Sequence, residues 1–131
     1  MDKKMFELAQ ENLKHAYVPY SHFPVSAVLK LKDGTLITGV NIENASYGLA
    51  NCAERTALFK AYSEGVKKED IEAILVTTTK DYLVSPCGAC RQVMLELMPK
   101  DAVVYIVDAK AKYQTFLNHE LLPAGFTEDD L

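Results

Sequence analysis

Cys87 and Cys90, in the run Pro86-Cys87-Gly88-Ala89-Cys90, stand three residues apart where a helix is predicted to begin. One helical turn brings positions i and i+3 to the same face, so both sulfurs can grip a single metal ion. The third and last cysteine, Cys52, opens a second predicted helix in Asn51-Cys52-Ala53-Glu54-Arg55. Helices that follow strands of one sheet begin at the same sheet edge, which lets this sulfur join the other two. A closed structural zinc site takes four protein ligands, and there is no fourth cysteine, so the inferred site keeps an open position. Two other readings of the pair stand beside this one: thiols buried at a helix start, or a redox dithiol. Cys52-Ala53-Glu54 favours the metal, because a carboxylate two residues after a ligand can stand beside the ion without binding it.

Zinc held by three thiolates carries 2 − 3 = −1 formal charge, which weakens its power to acidify water. Two helix N-termini supply compensating positive charge, and Arg55 can donate hydrogen bonds to a thiolate and draw off electron density. Glu54 beside the open position can take a proton from water, pass it to a ring nitrogen and later to a departing amine, which is hydrolytic deamination. Cys-x-Glu followed by Pro-Cys-x-x-Cys is similar to the pattern of zinc deaminases, in which the glutamate shuttles protons and is not a ligand. The alternatives are a solvated carboxylate for Glu54 and a surface ion pair for Arg55. His15, His22 and His119 are not beside a cysteine and are read as packing or surface residues.

These residues need a scaffold. Residues 2–16 place Met5, Leu8, Ala9, Leu13 and Ala16 at helical spacing, and Pro19 ends that pattern. Residues 25–32 and 35–42 read as a hairpin joined at Asp33-Gly34, a dipeptide that accommodates the positive backbone angles of a tight turn. Residues 44–48 read as loop, 53–64 as a buried helix ending at Gly65, 71–79 as a buried strand, 85–97 as a turn into a helix and 102–108 as a strand. Strand, helix and strand make a parallel crossover. A short strand around 113–116 follows, then Asn118 as the cap of one helical turn ending at Leu122-Pro123. The sum is an α/β fold: one domain over residues 1–131, with helices on both faces of a mixed five-stranded sheet.

Composition agrees with a folded chain, since 49% of the 131 residues are hydrophobic and 24% charged, which excludes disordered, collagenous and coiled-coil classes. Fourteen basic against eighteen acidic residues leave a net charge of −4, a poor field for nucleic acid. The first residues lack the apolar run of a secretory signal, and the longest apolar stretches are strand-sized, so a cytosolic chain without a membrane span is expected. An odd number of thiols also suits metal binding or catalysis better than a disulfide framework.

Taken together, five runs resemble the small cytidine deaminase family. They are Val18-Pro19-Tyr20-Ser21, Thr38 through Gly48 (TGVNIENASYG), Asn51 through Ala57 (NCAERTA), Ser85 through Gln92 (SPCGACRQ) and Leu121-Leu122-Pro123. They span nearly the whole chain in order. The Asn-Ile-Glu-Asn-Ala-Ser-Tyr run looks specific for the nucleoside branch. The resemblance implies zinc, one per subunit, on Cys52, Cys87 and Cys90, with Glu54 and Arg55 catalytic. It implies that cytidine and deoxycytidine are converted to uridine and deoxyuridine with release of ammonia, in pyrimidine salvage.

It further implies that Asn41 and Glu43 bind the ribose hydroxyls, that Phe23 packs on the pyrimidine ring and that the backbone of Ala53 holds the polar edge of the base. Two residues apart on a strand, Asn41 and Glu43 would point to one side. Family members of this length are homotetramers with shared sites, and Ala45, Tyr47 and Phe126 match the positions lent to neighbours. Ser26 departs from the family's usual glycine; its hydroxymethyl could tighten the pocket or cost packing. The competing readings are a deaminase of another cytosine compound, such as blasticidin S, and a non-enzymatic binding module stapled by zinc.

Overall fold

Near-continuous apolar runs along 25–31, 71–78 and 103–107 make strands whose two faces both need cover, and amphipathic helices supply it. The computed structural model describes all 131 residues. In chain order the elements are α1 (Lys3–Asn12), β1 (Val25–Leu31), β2 (Leu36–Val40), α2 (Ala53–Ser63), β3 (Ile71–Thr78), α3 (Gly88–Leu97), β4 (Val103–Val107) and β5 (Tyr113–Leu117), with short 3-10 turns between them. The strands form one sheet in the order β2-β1-β3-β4-β5. β1 is antiparallel to both β2 and β3, β3 is parallel to β4, and β5 is antiparallel to β4.

That topology positions the site. Since β2 and β3 both run opposite to β1, they run the same way, and the helices that follow them start at the same end of the sheet. Both helices lie on one face, where Ala57, Leu58, Ala61, Met94 and Met98 pack on Ala27, Leu29, Ile74, Val76 and Val104. α1 covers the other face with Met5 and Ala9 on Val28, Ala73, Leu75 and Val107. Gly39 in β2 lets α2 settle close, because a Cβ there would lie 2.4 Å from the Ala57 nitrogen and 2.6 Å from the Ala53 carbonyl oxygen.

Several sequence expectations need correction. β2 stops at Val40 rather than at residue 42, so Asn41 and Glu43 lie on the extended segment beyond it, where Ile42 bridges to Tyr17 and Asn51. The hairpin turn has one left-handed residue, Gly34 at φ 92°, while Asp33 keeps a negative φ. Gly34 N–H bonds to the Leu31 carbonyl at 2.9 Å, and the Asp33 carboxylate accepts from Thr35 N–H, giving the longer, bulged form of hairpin loop. A 3-10 turn, Tyr47–Leu49, begins inside the segment 44–48 expected to be loop. Asn118 is no cap for its own turn: it is buried, and its amide donates to the carbonyls of Met94, Met98 and Pro99, closing the C-terminal end of α3. Ser26 alternates with Val25 and Ala27 and falls on the α1 face beside Thr77, so it does not touch the pocket. Its buried hydroxyl has no hydrogen-bond partner.

Candidate active site

Cys52 and Cys87 are the N-cap residues of α2 and α3. A cap residue has extended backbone, so its side chain turns back over the helix end, among amides that lack intrahelical partners. The Cys87 sulfur accepts from the Cys90 N–H at 3.5 Å, and the Cys52 and Cys87 sulfurs are 3.8 Å apart. All three sulfurs lie within 4.8 Å of one another, and no histidine or carboxylate joins them. A tetrahedral zinc with Zn–S of about 2.3 Å holds its sulfurs about 3.8 Å apart, so the donor set fits zinc with one position left over. A two-thiol redox pair would leave the third sulfur unexplained, and all three cysteines are free.

The electrostatics favour a thiolate at Cys52. Hydrogen bonding from Cys90, then from the Arg55 guanidinium and Cys87, brings Cys52 down to about 5. Cys90 is pushed up in return by that shared hydrogen bond and by burial. Arg55 donates from Nη2 to the Cys52 sulfur at 3.3 Å, so it is not the solvated surface residue of the alternative reading. Asn51 donates to Thr56 Oγ1, which donates to the Cys52 carbonyl at 3.0 Å and fixes the cap from behind.

Glu54, in the first turn of α2, is only 3% exposed, which removes the reading of a solvated carboxylate. Burial, and the nearby Cys52 charge, lift its carboxyl to about 7 against the pull of the helix amides, a value suited to taking and returning protons near neutrality. Glu54, Ala53, Cys52 and Cys87 border a cavity of about 160 Å3 with Asn41 and Ser85 on its rim. Ala53 is the first residue of α2, so its amide has no intrahelical partner. A cleft of about 600 Å3 under the C-terminal tail contains His119 and Lys100 but none of the sulfurs.

Apart from Asn41, the remaining sequence-derived residues do not border that cavity. Asn41 accepts from Val25 N–H and donates to the Phe23 carbonyl, each at 2.9 Å. Glu43 accepts from the amides of Tyr20 and Ser21 and from the Ser21 hydroxyl, and it borders a second cavity of about 300 Å3 with Tyr47. Phe23 lies beneath the Lys80 ammonium, 5.5 Å from the ring centre. Ala45 and Tyr47 are on an exposed loop, and Phe126 is in the tail, its carbonyl accepting from Gln92. Sequence reasoning missed Arg91 as a participant: Nε donates to the Pro86 carbonyl at 2.8 Å, Nη1 to the Leu121 carbonyl at 2.9 Å and Nη2 to the Ser85 hydroxyl. The signal for it was its place directly after a ligand, inside the same run.

Three sulfurs at two helix ends, with a buried carboxylate on the first turn of one of those helices, make a donor set that fits zinc. Residues 1–106 match the family described as the cytidine and deoxycytidylate deaminase zinc-binding region. A cytidine deaminase of Halalkalibacterium halodurans is 54% identical over 132 aligned positions, covering 100% of this chain and 98% of that one. The crystal structure of cytidine deaminase from Burkholderia pseudomallei superposes with a TM-score of 0.92 at 42% identity, over 96% of this chain and 100% of that one. A blasticidin-S deaminase of Bacillus cereus is more distant, at 29% identity over 98% of this chain and 94% of that one. The chain belongs to the cytidine deaminase family.

Proposed function

We propose that the chain hydrolyses cytidine and deoxycytidine: water replaces the exocyclic amine, giving uridine or deoxyuridine and ammonia, in pyrimidine salvage. The observation that carries this reading is Glu54, buried and bordering one cavity with Cys52 and Cys87, two of the three clustered cysteines. Cys52, Cys87 and Cys90 would hold one zinc per subunit, which when bound supplies a Lewis acid that acidifies water. The Glu54 carboxylate takes the proton of the attacking water, gives it to the ring nitrogen, and later carries a proton to the leaving amine. Arg55 and the two helix ends offset the thiolate charge.

Asn41 retains one N–H and one lone pair beyond its bonds to Val25 and Phe23, enough to donate to and accept from a ribose hydroxyl. Glu43 has spent three of its roughly four acceptor sites on the 20–21 turn and keeps about one for a hydroxyl proton. Phe23 packs against the pyrimidine, and the Ala53 amide holds its polar edge.

Completion of the site by neighbouring copies is part of the reading. The cavity of about 160 Å3 is smaller than the roughly 300 Å3 at which small-molecule sites begin. Tyr47 and Phe126 are 81% and 55% exposed, apolar rings in want of cover. A homotetramer in which Ala45, Tyr47 and Phe126 reach neighbouring sites answers both. We place this one-domain chain in the cytosol, where free thiols stay reduced; no helix is long and apolar enough to cross a membrane.

Ammonia release and the ultraviolet change on adding cytidine test the reading, with Glu54→Gln as companion. Wild-type turnover, lost by about 10²–10⁴-fold in a folded, zinc-loaded Glu54→Gln, is the expected result. An inactive zinc-loaded wild type would redirect the search to other cytosine compounds, and an unaffected Glu54→Gln would leave zinc a staple only.

A further inference from the structure

We propose that Arg91 is a positioning residue that ties the strap carrying Cys87 to the C-terminal tail, so that the geometry of the metal ligand and the seating of the tail are set together. This rests on the reading of Cys87 as a ligand. One guanidinium spans both segments. Nε and Nη2 hold Pro86 and Ser85, the two residues before Cys87, and Nη1 holds Leu121, thirty residues further on. The adjacent Gln92 donates to the Phe126 carbonyl at 2.8 Å, so the N-terminal half of α3 grips the tail at two points.

The strap needs an outside tether. It precedes α3 as irregular chain, Pro86 has no N–H to donate, and Ser85 borders the reaction cavity. With the Pro86 carbonyl and Ser85 hydroxyl released, the backbone that aims the Cys87 sulfur would lose two of its fixed points. Arginine suits this task because its planar fork presents several donors in fixed directions, which a lysine ammonium cannot reproduce. Groups that orient ligands commonly change metal affinity by 10–100-fold when removed. By linkage, whatever coupling lets the tail stabilise the site also lets the bound metal stabilise the tail.

Cobalt(II) titration of the full-length assembled protein tests this through cobalt–thiolate absorption, with amide hydrogen exchange across residues 118–126 read on the zinc-loaded forms. For Arg91→Ala we expect cobalt affinity about 10–100-fold weaker, a displaced absorption band and faster exchange in the tail. Ser85→Ala should shift the band in the same direction by less, and Arg91→Lys should fall between wild type and Arg91→Ala. Tyr62→Phe is the control: it removes the bond from Tyr62 to the Leu97 carbonyl at the far end of α3 and should lower thermal stability without moving the cobalt spectrum. Unchanged cobalt affinity and spectrum in a folded Arg91→Ala overturns the proposal, as does a Tyr62→Phe that weakens cobalt equally. If Arg91→Ala does not fold, unchanged spectra in both Arg91→Lys and Ser85→Ala overturn it. A wild type without cobalt–thiolate absorption would instead remove the ligand reading beneath it.

Discussion

The Cys52 and Cys87 sulfurs stand 3.8 Å apart although 35 positions separate the residues in the chain. Each is the cap of a helix, and the two helices start at one sheet end because β2 and β3 run in the same direction. A metal bound here therefore staples two long-range segments. Stripping zinc with a chelator should abolish turnover and lower the melting temperature, and stoichiometric zinc should restore both. Calorimetry with metal analysis checks this; a metal-free protein of unchanged melting temperature would contradict it.

Arg55 is the guanidinium that meets the Cys52 sulfur directly. Arg55→Ala leaves the thiolate charge less compensated, so metal affinity should fall about 10–100-fold and kcat should fall with it. Competition with a chromophoric chelator measures the first, and steady-state kinetics at saturating zinc the second.

Gly39 is required by close approach. Its missing Cβ leaves room for the backbone of α2, which cannot shift without carrying Cys52 and Glu54 along. Gly39→Ala should destabilise the fold by about 3 kcal/mol or more, at the upper end of overpacking costs. Denaturant unfolding would show it, and residual folded protein should bind zinc more weakly.

Ser26 offers a change in the opposite direction. Its buried hydroxyl is unpartnered and faces α1, away from the cavity. Ser26→Ala should raise stability by about 1 kcal/mol by removing an unsatisfied polar group, with kcat and KM unchanged. Ser26→Gly should lose roughly 0.5–1 kcal/mol relative to Ser26→Ala through added chain entropy.

Asp2 gives a pH-dependent case. It caps α1 through Met5 N–H and pairs with Lys30 at 2.9 Å, and the Lys30 hydrogen bond holds its carboxyl below the ordinary 3.8. A folded-state pKa lowered below the unfolded one adds stability that is fully present above the ordinary value and is lost as pH falls through the lowered one. Asp2→Ala should thus cost about 1 kcal/mol at pH 7, and the gap from wild type should close in strong acid. Thermal melts across pH 2–7 follow it; a pH-independent gap would mean that the charge contributes nothing.

Much of the scaffold was legible because local signals agreed with tertiary need. The apolar stripe within residues 2–16 marked α1, although the α-helix ends at Asn12 and 13–15 tighten into a 3-10 turn; Gly65 closed α2 in a left-handed conformation, and the β-branched run at 71–78 became the central strand. Boundaries were less legible where a distant partner decided them. Asn118 carries a capping side chain, yet it caps α3, because carbonyls brought up from residues 94–99 compete better than its own turn. Ser26 could not be placed until alternation along β1 was anchored by Val28 beneath α1.

The sequence by itself determined the chemistry: three thiols with no fourth, a carboxylate two residues after one of them, and an arginine beside it, since side-chain type and short spacing are local properties. Only the tertiary structure decided that the three sulfurs meet, that Glu54 is buried enough for its carboxyl to rise to about 7, and that Arg91 joins the strap to the tail. Those depend on strand direction, on which face each helix covers and on which carbonyls lie within reach, all of which are set by long-range packing.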